Sequence, residues 1–590
     1  MADGEFVAGS ASLSGTLALN TLTYATALAS LTRTPIWLFE MDLDVCTRTF
    51  GTTPCLATGT ACYNTKKTCR YPAAYSARSA TYQFTSADTP LPFSGPRPYI
   101  KTVTMNPTEI KAAGLTVNGR VGVEIYDEPD TDVGMDPYLS TRSGTVDGTF
   151  WRKLLARNPH YHGRPARLYR GFLGLAEGDF VQVWAGIIDN ITIAAQTVKI
   201  DCVDVLKALD KISVPPKLNI KLVAAVNASA TVLTLTDVTD LDATGAVRIG
   251  DEIITYTTRT TANNQLSGCT RAAYGTTADT HDANAKVQKV RLYAEANPFD
   301  TLEAMLSTDA GIAAGSIDSA AFADCKAFPG GELNVWSIVS EPTKLSTLYF
   351  ELVDLMDCKS WVGEDLKITI RRNMQNRPGR THTILTDAAN VRINSASVDL
   401  NQKSRLSRVL LYWNKPTLTD LDAYEEYGRL DMAVDADAEG SGEYGEIAEK
   451  VVGCRWLHDD LGTEEELDAF VTTHTTRRVW MQRDPLPILK LDVELKDAGI
   501  LTGDYVDLTT DEVQAITGAD LSAVWEVTKR AEQGGTVTLT LLECKPNMIA
   551  YIAANDAPDH DDATATQRRE YAYCCDDLGE VTGLPGYFLW

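Results

Sequence analysis

Period-two alternation of apolar and polar residues recurs along most of this 590-residue chain, and it constrains the fold more than any other feature. Gly119 to Tyr126 places Val121, Val123 and Ile125 on one face of an extended segment. Pro35 to Leu43, Ala166 to Leu173, Phe180 to Trp184, Ile187 to Ile193 and Thr197 to Cys202 read as further strands. Alternation with short turns between segments is the signature of a sandwich or barrel. Val203 to Leu209 reads as a closing helical turn, and Pro215-Pro216 as a stop.

The pattern changes along the chain and divides it. Residues 1–93 hold a leader, one strand and a cysteine-rich loop; residues 94–216 read as a first β-barrel domain. Residues 217–290 pack several short strands between close turns, including Gly250-Asp251-Glu252 before Ile253-Ile254-Thr255-Tyr256, and read as a small inserted all-β module. Residues 291–372 are α/β: Asn297-Pro298 opens a helix. Leu345, Leu348, Tyr349, Leu352 and Met356 share a face at i, i+3, i+4, i+7 spacing, and Leu366 to Ile370 follows as a strand. Residues 373–545 return to β, with strands at Arg405 to Trp413, Leu489 to Val493, Gly503 to Leu508, Val524 to Val527 and Thr536 to Leu542. A helix starts at Glu464 to Phe470, and Gly534-Gly535 reads as a hairpin turn. Residues 546–590 form an acidic C-terminal arm ending in Tyr587-Phe588-Leu589-Trp590. The expected fold is mainly β with α/β parts, multidomain, with β-barrel or sandwich domains plus the inserted module.

Charge narrows the function. A net charge of −25 repels nucleic acid, whose binding depends on Lys and Arg neutralising phosphates, so sequence-specific DNA recognition is not expected. The first residues, Met-Ala-Asp-Gly-Glu, lack the positive charge of a secretion signal. Phe6 to Thr32 is uncharged, but it is rich in Ser and Thr with spaced leucines. It reads as a packed or subunit-contacting segment, not a membrane span.

Four of the 12 cysteines fall within 24 residues as Cys46-x8-Cys55-x6-Cys62-x6-Cys69. The loop between them offers turn formers (Gly51, Pro54, Gly59, Asn64) and no aliphatic run able to build a core. Such a loop needs a covalent or metal clamp. Two disulfides, a zinc ion with four thiolates, an iron–sulfur cluster and free thiols all accommodate four cysteines. Cytoplasmic synthesis disfavours disulfides. Structural zinc sites use gaps of two to four residues, and the wider gaps here suit a larger cluster. The expected ligands are therefore Cys46, Cys55, Cys62 and Cys69, around an iron–sulfur cluster, [4Fe-4S], with Zn as the alternative. With no partner motif for electron transfer, a structural cross-link is the expected role.

Catalytic motifs are absent from the sequence: there is no G-x-S-x-G, H-E-x-x-H or G-x-x-x-x-G-K-[ST]. His160 and His162 read as a polar loop pair. Asp130-x-Asp132-x-Gly134-x-Asp136 has the start of a calcium loop but Thr141 at the twelfth position, and reads as a solvated acidic turn. Cys202 lies on the apolar parity of its strand and reads as a small buried hydrophobe. An enzymatic role is not expected.

The order of these parts resembles a known family. Arg164-Pro165-Ala166-Arg167-Leu168-Tyr169-Arg170-Gly171-Phe172-Leu173, Trp184-Ala185-Gly186-Ile187-Ile188-Asp189-Asn190 and Val198-Lys199-Ile200-Asp201-Cys202 look like the first barrel of siphophage tail-tip, or baseplate hub, proteins. Gly250-Asp251-Glu252-Ile253 and Arg271-Ala272-Ala273-Tyr274-Gly275-Thr276 resemble small β modules of bacteriophage tail proteins. Segments from Asn297-Pro298 through Ser407-Arg408-Val409 to Gly503-Asp504-Tyr505-Val506 look like the remaining hub domains. The four-cysteine loop is similar to that of lambda-type tail-tip proteins and gene transfer agent hubs, in which it holds an iron–sulfur cluster. The gaps of eight and six agree with that pattern; the middle gap is shorter and the loop lies nearer the N-terminus.

The resemblance implies a virion structural protein: a homotrimer at the tail tip, assembled in the host cytoplasm, surrounding the DNA ejection channel. Two barrels per chain would form a pseudo-sixfold ring between the hexameric tail and a threefold tip. Its implied partners are the distal tail or tail tube ring, tip or fibre proteins and the tape measure protein, with host-surface contact only indirect. An acidic channel wall would keep DNA mobile. The alternatives are a receptor-binding or carbohydrate-binding tail protein, suggested by the module at 217–290, and a redox enzyme using the cluster.

Overall fold

The computed structural model describes residues 23–29, 34–106, 108–110, 119–144, 146–327, 333–363, 367–373, 382–418, 420–514, 517–533 and 536–544, plus short strand segments between 572 and 589. Most of the leader, the Gly534-Gly535 turn and most of the C-terminal arm lie outside the described residues. The chain is mainly β with α/β parts and several cores. No helix among the described residues is long and apolar enough to cross a membrane.

The first sheet has seven strands: β1 (Pro35–Cys46), β2 (Ala77–Thr85), β3 (Ile100–Asn106), β4 (Arg120–Tyr126), β5 (Pro165–Phe172), β6 (Val181–Ile193) and β7 (Thr197–Val203), in the order β2-β1-β5-β6-β7-β4-β3. The helix α1 (Phe150–Arg157) covers one face with Phe150, Trp151 and Leu154, packed on Val121, Val123, Ile125, Leu168 and Ile200. Strand β1 serves two cores. Phe39, Met41 and Leu43 enter this core, whereas Ile36 and Leu38 point to the opposite face and pack with residues from the far end of the chain.

Phe180 to Trp184 and Ile187 to Ile193 are not two strands, as expected, but one, β6. Gly186 suggests a turn in sequence, yet it sits in mid-strand. A Cβ there would lie 2.2 Å from the Val203 carbonyl and 2.6 Å from the Trp184 ring, so glycine permits close approach. The expected helical turn after β7 is a 3₁₀ helix, Val205–Lys211, whose first turn is capped by Asp204 accepting from the Lys207 N–H.

Residues of the inserted module bury Leu222, Leu233, Leu235, Val247, Ile254 and Leu266 in a core of their own. Its last strand, Lys286–Ala296, continues past position 290. It pairs with Gly245–Ile249 at one end and with Val335–Val339 at the other, tying the module to the α/β region. There the helix Leu345–Leu355 buries Leu345, Leu348, Tyr349 and Leu352 as its spacing predicts. Ile368–Arg372 pairs antiparallel with Cys358–Val362, a strand not legible in the sequence.

A second large sheet gathers six strands from residues 383–543, in the order Thr383–Thr386, Tyr505–Gln514, Asp520–Gln533, Thr536–Glu543, Ile488–Glu494, Ser397–Asp399. Asp520–Gln533 and Thr536–Glu543 pair antiparallel with Gln533 opposite Thr536. Its buried face, including Leu489, Leu491, Val506, Trp525, Val527 and Leu539, forms one core with Ile36, Leu38, Phe172 and Phe180 of the first sheet. Polar contacts reinforce the junction. Arg170 pairs with Glu532, Lys529 Nζ lies 2.9 Å from Glu109 Oε2, and the Ile110 N–H donates to the Thr528 carbonyl. A further contact joins the second sheet to the α/β region: Lys359 Nζ and Glu526 Oε2 are 2.6 Å apart and both buried.

Candidate metal centre

Strand β1 ends at Cys46, opposite Ala77 at the start of β2, so residues 47–76 form a loop closed by a paired ribbon. Asn64 takes the left-handed conformation (φ 54°), and its carbonyl accepts the Cys46 N–H at 2.6 Å, folding the loop back on its own start. Gly59 (φ 84°) supplies a second sharp turn.

These turns bring Cys46, Cys55, Cys62 and Cys69 to the wall of a single small pocket. The first three are buried and Cys69 is half-buried. Burial pushes the Cys62 thiol up, the Asn64 backbone N–H pulls it down, and the charges of Cys69, Cys46 and Cys55 push it up again. Cys62 thus lies within electrostatic reach of the other three sulfurs. The Arg48 N–H donates to Cys46 Sγ at 3.4 Å, the kind of contact that stabilises thiolate ligands. Burial, and then the charges of Asp44, Cys46 and Cys69, also raise the Tyr75 phenol.

Four thiols lining one pocket are the donor type that an iron–sulfur cluster or a zinc ion takes. Among the described residues, no three His, Cys, Asp or Glu side chains converge tightly enough to ligate one ion. A zinc tetrathiolate, with Zn–S of about 2.3 Å, needs its four sulfurs about 4 Å apart.

The loop is also held from outside, by residues with no cysteine-like signal in the sequence. The Arg142 guanidinium donates to the Ala61 and Cys62 carbonyls at 3.1 and 3.0 Å and stacks on the Tyr63 ring. Arg157 covers the same ring. The Thr65 hydroxyl donates to the Arg157 carbonyl at 2.6 Å, and the Phe50 N–H donates to the Tyr138 hydroxyl at 2.8 Å.

The acidic segment after Asp127 corrects an expectation. Asp130, Asp132 and Asp136 are not solvated; they are buried and paired with cations. Arg97 pairs with Asp130, Lys153 and Arg157 with Asp132, and Arg142 with Asp136. The Asp132 carboxyl is held down by these cations against the opposing effect of its burial. The aspartates aim the arginines that grip the cysteine loop, and these carboxylates are already engaged by Arg and Lys. Sequence spacing could not reveal this, because Arg142 lies 80 residues from Cys62.

Elsewhere, His162 bonds the Asp189 carbonyl and Lys211. Cys202 is buried, and desolvation pushes its thiol up.

No known protein family matches the sequence, and no curated protein does. Solved structures with partial likeness include a tail protein from Neisseria meningitidis MC58, 12% identical, covering 75% of this chain and 95% of that one (TM-score 0.35). The 43 kDa tail protein of prophage MuSo2 from Shewanella oneidensis is 10% identical, over 75% of this chain and 97% of its own (TM-score 0.32). Part of a native gene transfer agent virion is 14% identical over 38% of this chain and 44% of its own (TM-score 0.26). Overlaps this loose carry no functional weight by themselves.

Proposed function

We propose that this chain is a structural protein of a bacteriophage virion, forming a homotrimeric hub at the tail tip. The observation that carries the reading is the shared core between two β modules lying at opposite ends of the chain, around Leu38 and Phe172 on one side and Leu491 and Trp525 on the other. One chain thus presents two β modules side by side in fixed orientation. Three copies then supply six modules, matching a sixfold tail tube to a threefold tip. The hub would meet the distal tail ring above and tip or fibre proteins below. The tape measure protein and then DNA would pass through its channel, past a wall kept acidic by a chain of net charge −25.

Cys46, Cys55, Cys62 and Cys69 would hold an iron–sulfur cluster as a cross-link in place of a hydrophobic core. When bound, the cluster supplies iron–thiolate bonds whose formation is coupled to folding of the loop. The chain's own residues do the rest: Arg142 and Tyr63 fix the loop against the first sheet, and the Arg48 N–H supports the Cys46 sulfur.

Gold-labelled antibody against this chain, applied to released particles, tests the location. Label confined to the tail tip supports the reading; label on the capsid, or particles lacking the chain, overturns it.

A further inference from the structure

The strands Arg408–Trp413, Arg429–Val434 and Glu449–Gly453 form a three-stranded sheet with Arg408–Trp413 in the centre. The helix Glu464–Gln482 covers one face, where Val409 and Ala433 pack with Val479, and Leu411 and Trp413 are buried on that same side. The opposite face has no such cover among the described residues. Register places Met432, Leu410 and Val451 side by side across it, with Leu430 opposite Tyr412 in one flanking row and Val434 opposite Arg408 in the other. Leu430, Met432, Val434 and Val451 are 51, 57, 41 and 38% exposed. The solvated face of a sheet is ordinarily polar, and a contiguous apolar patch with a polar rim marks a contact surface.

The surroundings select what lies on it. Tyr424 stacks on Tyr412 with ring centres 4.9 Å apart and closes one end. At the other end Arg408 stands between Glu439 and Glu449, at 2.6 and 3.8 Å. In the segment that carries Tyr424, Lys415 lies near Asp420 and Glu426. Acids thus outnumber cations around the patch, so a second copy of the same face, or the acidic C-terminal arm, would bring like charges together. Residues 6–22 carry no charge and space Phe6, Val7, Leu13, Leu17, Leu19 and Leu22 along their length. The described residues begin at Thr23, and the Tyr24 ring is fixed against Phe172 with 5.4 Å between centres. Extended at about 3.3 Å per residue, residues 6–22 reach roughly 55 Å from that anchor.

We propose that residues 6–22 of this chain dock on the apolar face formed by Leu410, Leu430, Met432, Val434 and Val451. An uncharged segment matches an apolar surface with an acidic rim: its leucines gain burial without placing a charge against Glu439 or Glu449. The inference is independent of the cysteine loop and of the hub reading.

Photo-cross-linking on the full chain tests it, with p-benzoylphenylalanine placed in turn at Leu430 and Met432, and at Trp480 as a control. Trp480 is 40% exposed on the helix that covers the other face. Residues 1–32 contain no Lys or Arg, so trypsin releases the leader as one peptide ending at Arg33. We expect the probes at Leu430 and Met432 to label that peptide within residues 6–22, and the Trp480 probe to leave it unlabelled. Adding Leu13→Asp and Leu17→Asp together should cut the leader label about tenfold or more, while the melting curve verifies that the chain still folds. Two probe positions guard against one of them disturbing the sheet. Labelling by both probes of the same face of another copy, of the C-terminal arm or of no peptide at all, or equal labelling of the leader from Trp480, overturns the proposal.

Discussion

The guanidinium of Arg142 lies 3.8 Å from the centre of the Tyr63 ring, between the Ala61–Cys62 backbone and the buried Asp136. This one side chain therefore links Asp136 of the acidic segment to the backbone of Ala61 and Cys62. Replacing it by alanine removes two hydrogen bonds and a cation–π contact and leaves Asp136 buried without its partner. The loss should reach about 2–4 kcal/mol at the loop, from the desolvation of an abandoned charge plus the lost contacts. Hydrogen exchange at Tyr63 and Asn64 should accelerate accordingly while amides in β4 and β7 stay protected.

Changing any of Cys46, Cys55, Cys62 or Cys69 to serine should strip iron and acid-labile sulfide from the purified protein. Serine preserves size, so the two large sheets should persist by circular dichroism while residues 47–76 become cleavable by protease. Zinc in place of iron and sulfide would refute the cluster while leaving a metal clamp in place.

Lys359 and Glu526 are an ion pair buried to 3% and 2% side-chain exposure at the seam between the α/β region and the second sheet. Lys359→Met leaves a carboxylate in the interior and should cost about 3–5 kcal/mol in denaturant unfolding. Changing both residues to methionine should recover most of that loss, since a matched apolar pair avoids the desolvation penalty.

Glu252 is the lock of the inserted module. Burial pushes its carboxyl up, but the Arg271 guanidinium, the Ala272 N–H, His281 and the Asp279 N–H outweigh that and hold it at about 2. A depressed carboxyl stabilises the folded state above its unfolded value and loses that contribution as protons are forced on. The module should thus weaken as pH falls from about 4.5 toward about 2. Glu252→Gln should be less stable at neutral pH and nearly insensitive across that interval, measured by hydrogen exchange over residues 217–290.

Much of the β architecture is legible from alternation alone: the segment from Gly119 to Tyr126 forms β4, Arg120–Tyr126. The helix starting at Glu464 runs on to Gln482, beyond what its sequence suggests, because its inward face carries polar residues. Thr475 bonds Asp431 and Arg478 pairs with Asp354, so burial there is satisfied by partners distant in sequence. The same reason hides the clamp on the cysteine loop. Four cysteines in one loop mark a candidate ligand set, but the arginines that grip it belong to a helix and a turn 80 or more residues on, and only folding brings them there. Strand β1, with apolar residues on both faces at Leu38 and Phe39, signals in hindsight that it is covered on two sides.

The central claim is that two β modules fused in one chain close into a ring with two further copies. Native mass spectrometry of the purified full chain, across a concentration series, measures this directly. The account predicts a species of three chains that carries iron and sulfide in proportion to one cluster per chain. A chain that stays monomeric throughout, at every concentration and ionic strength, would contradict it.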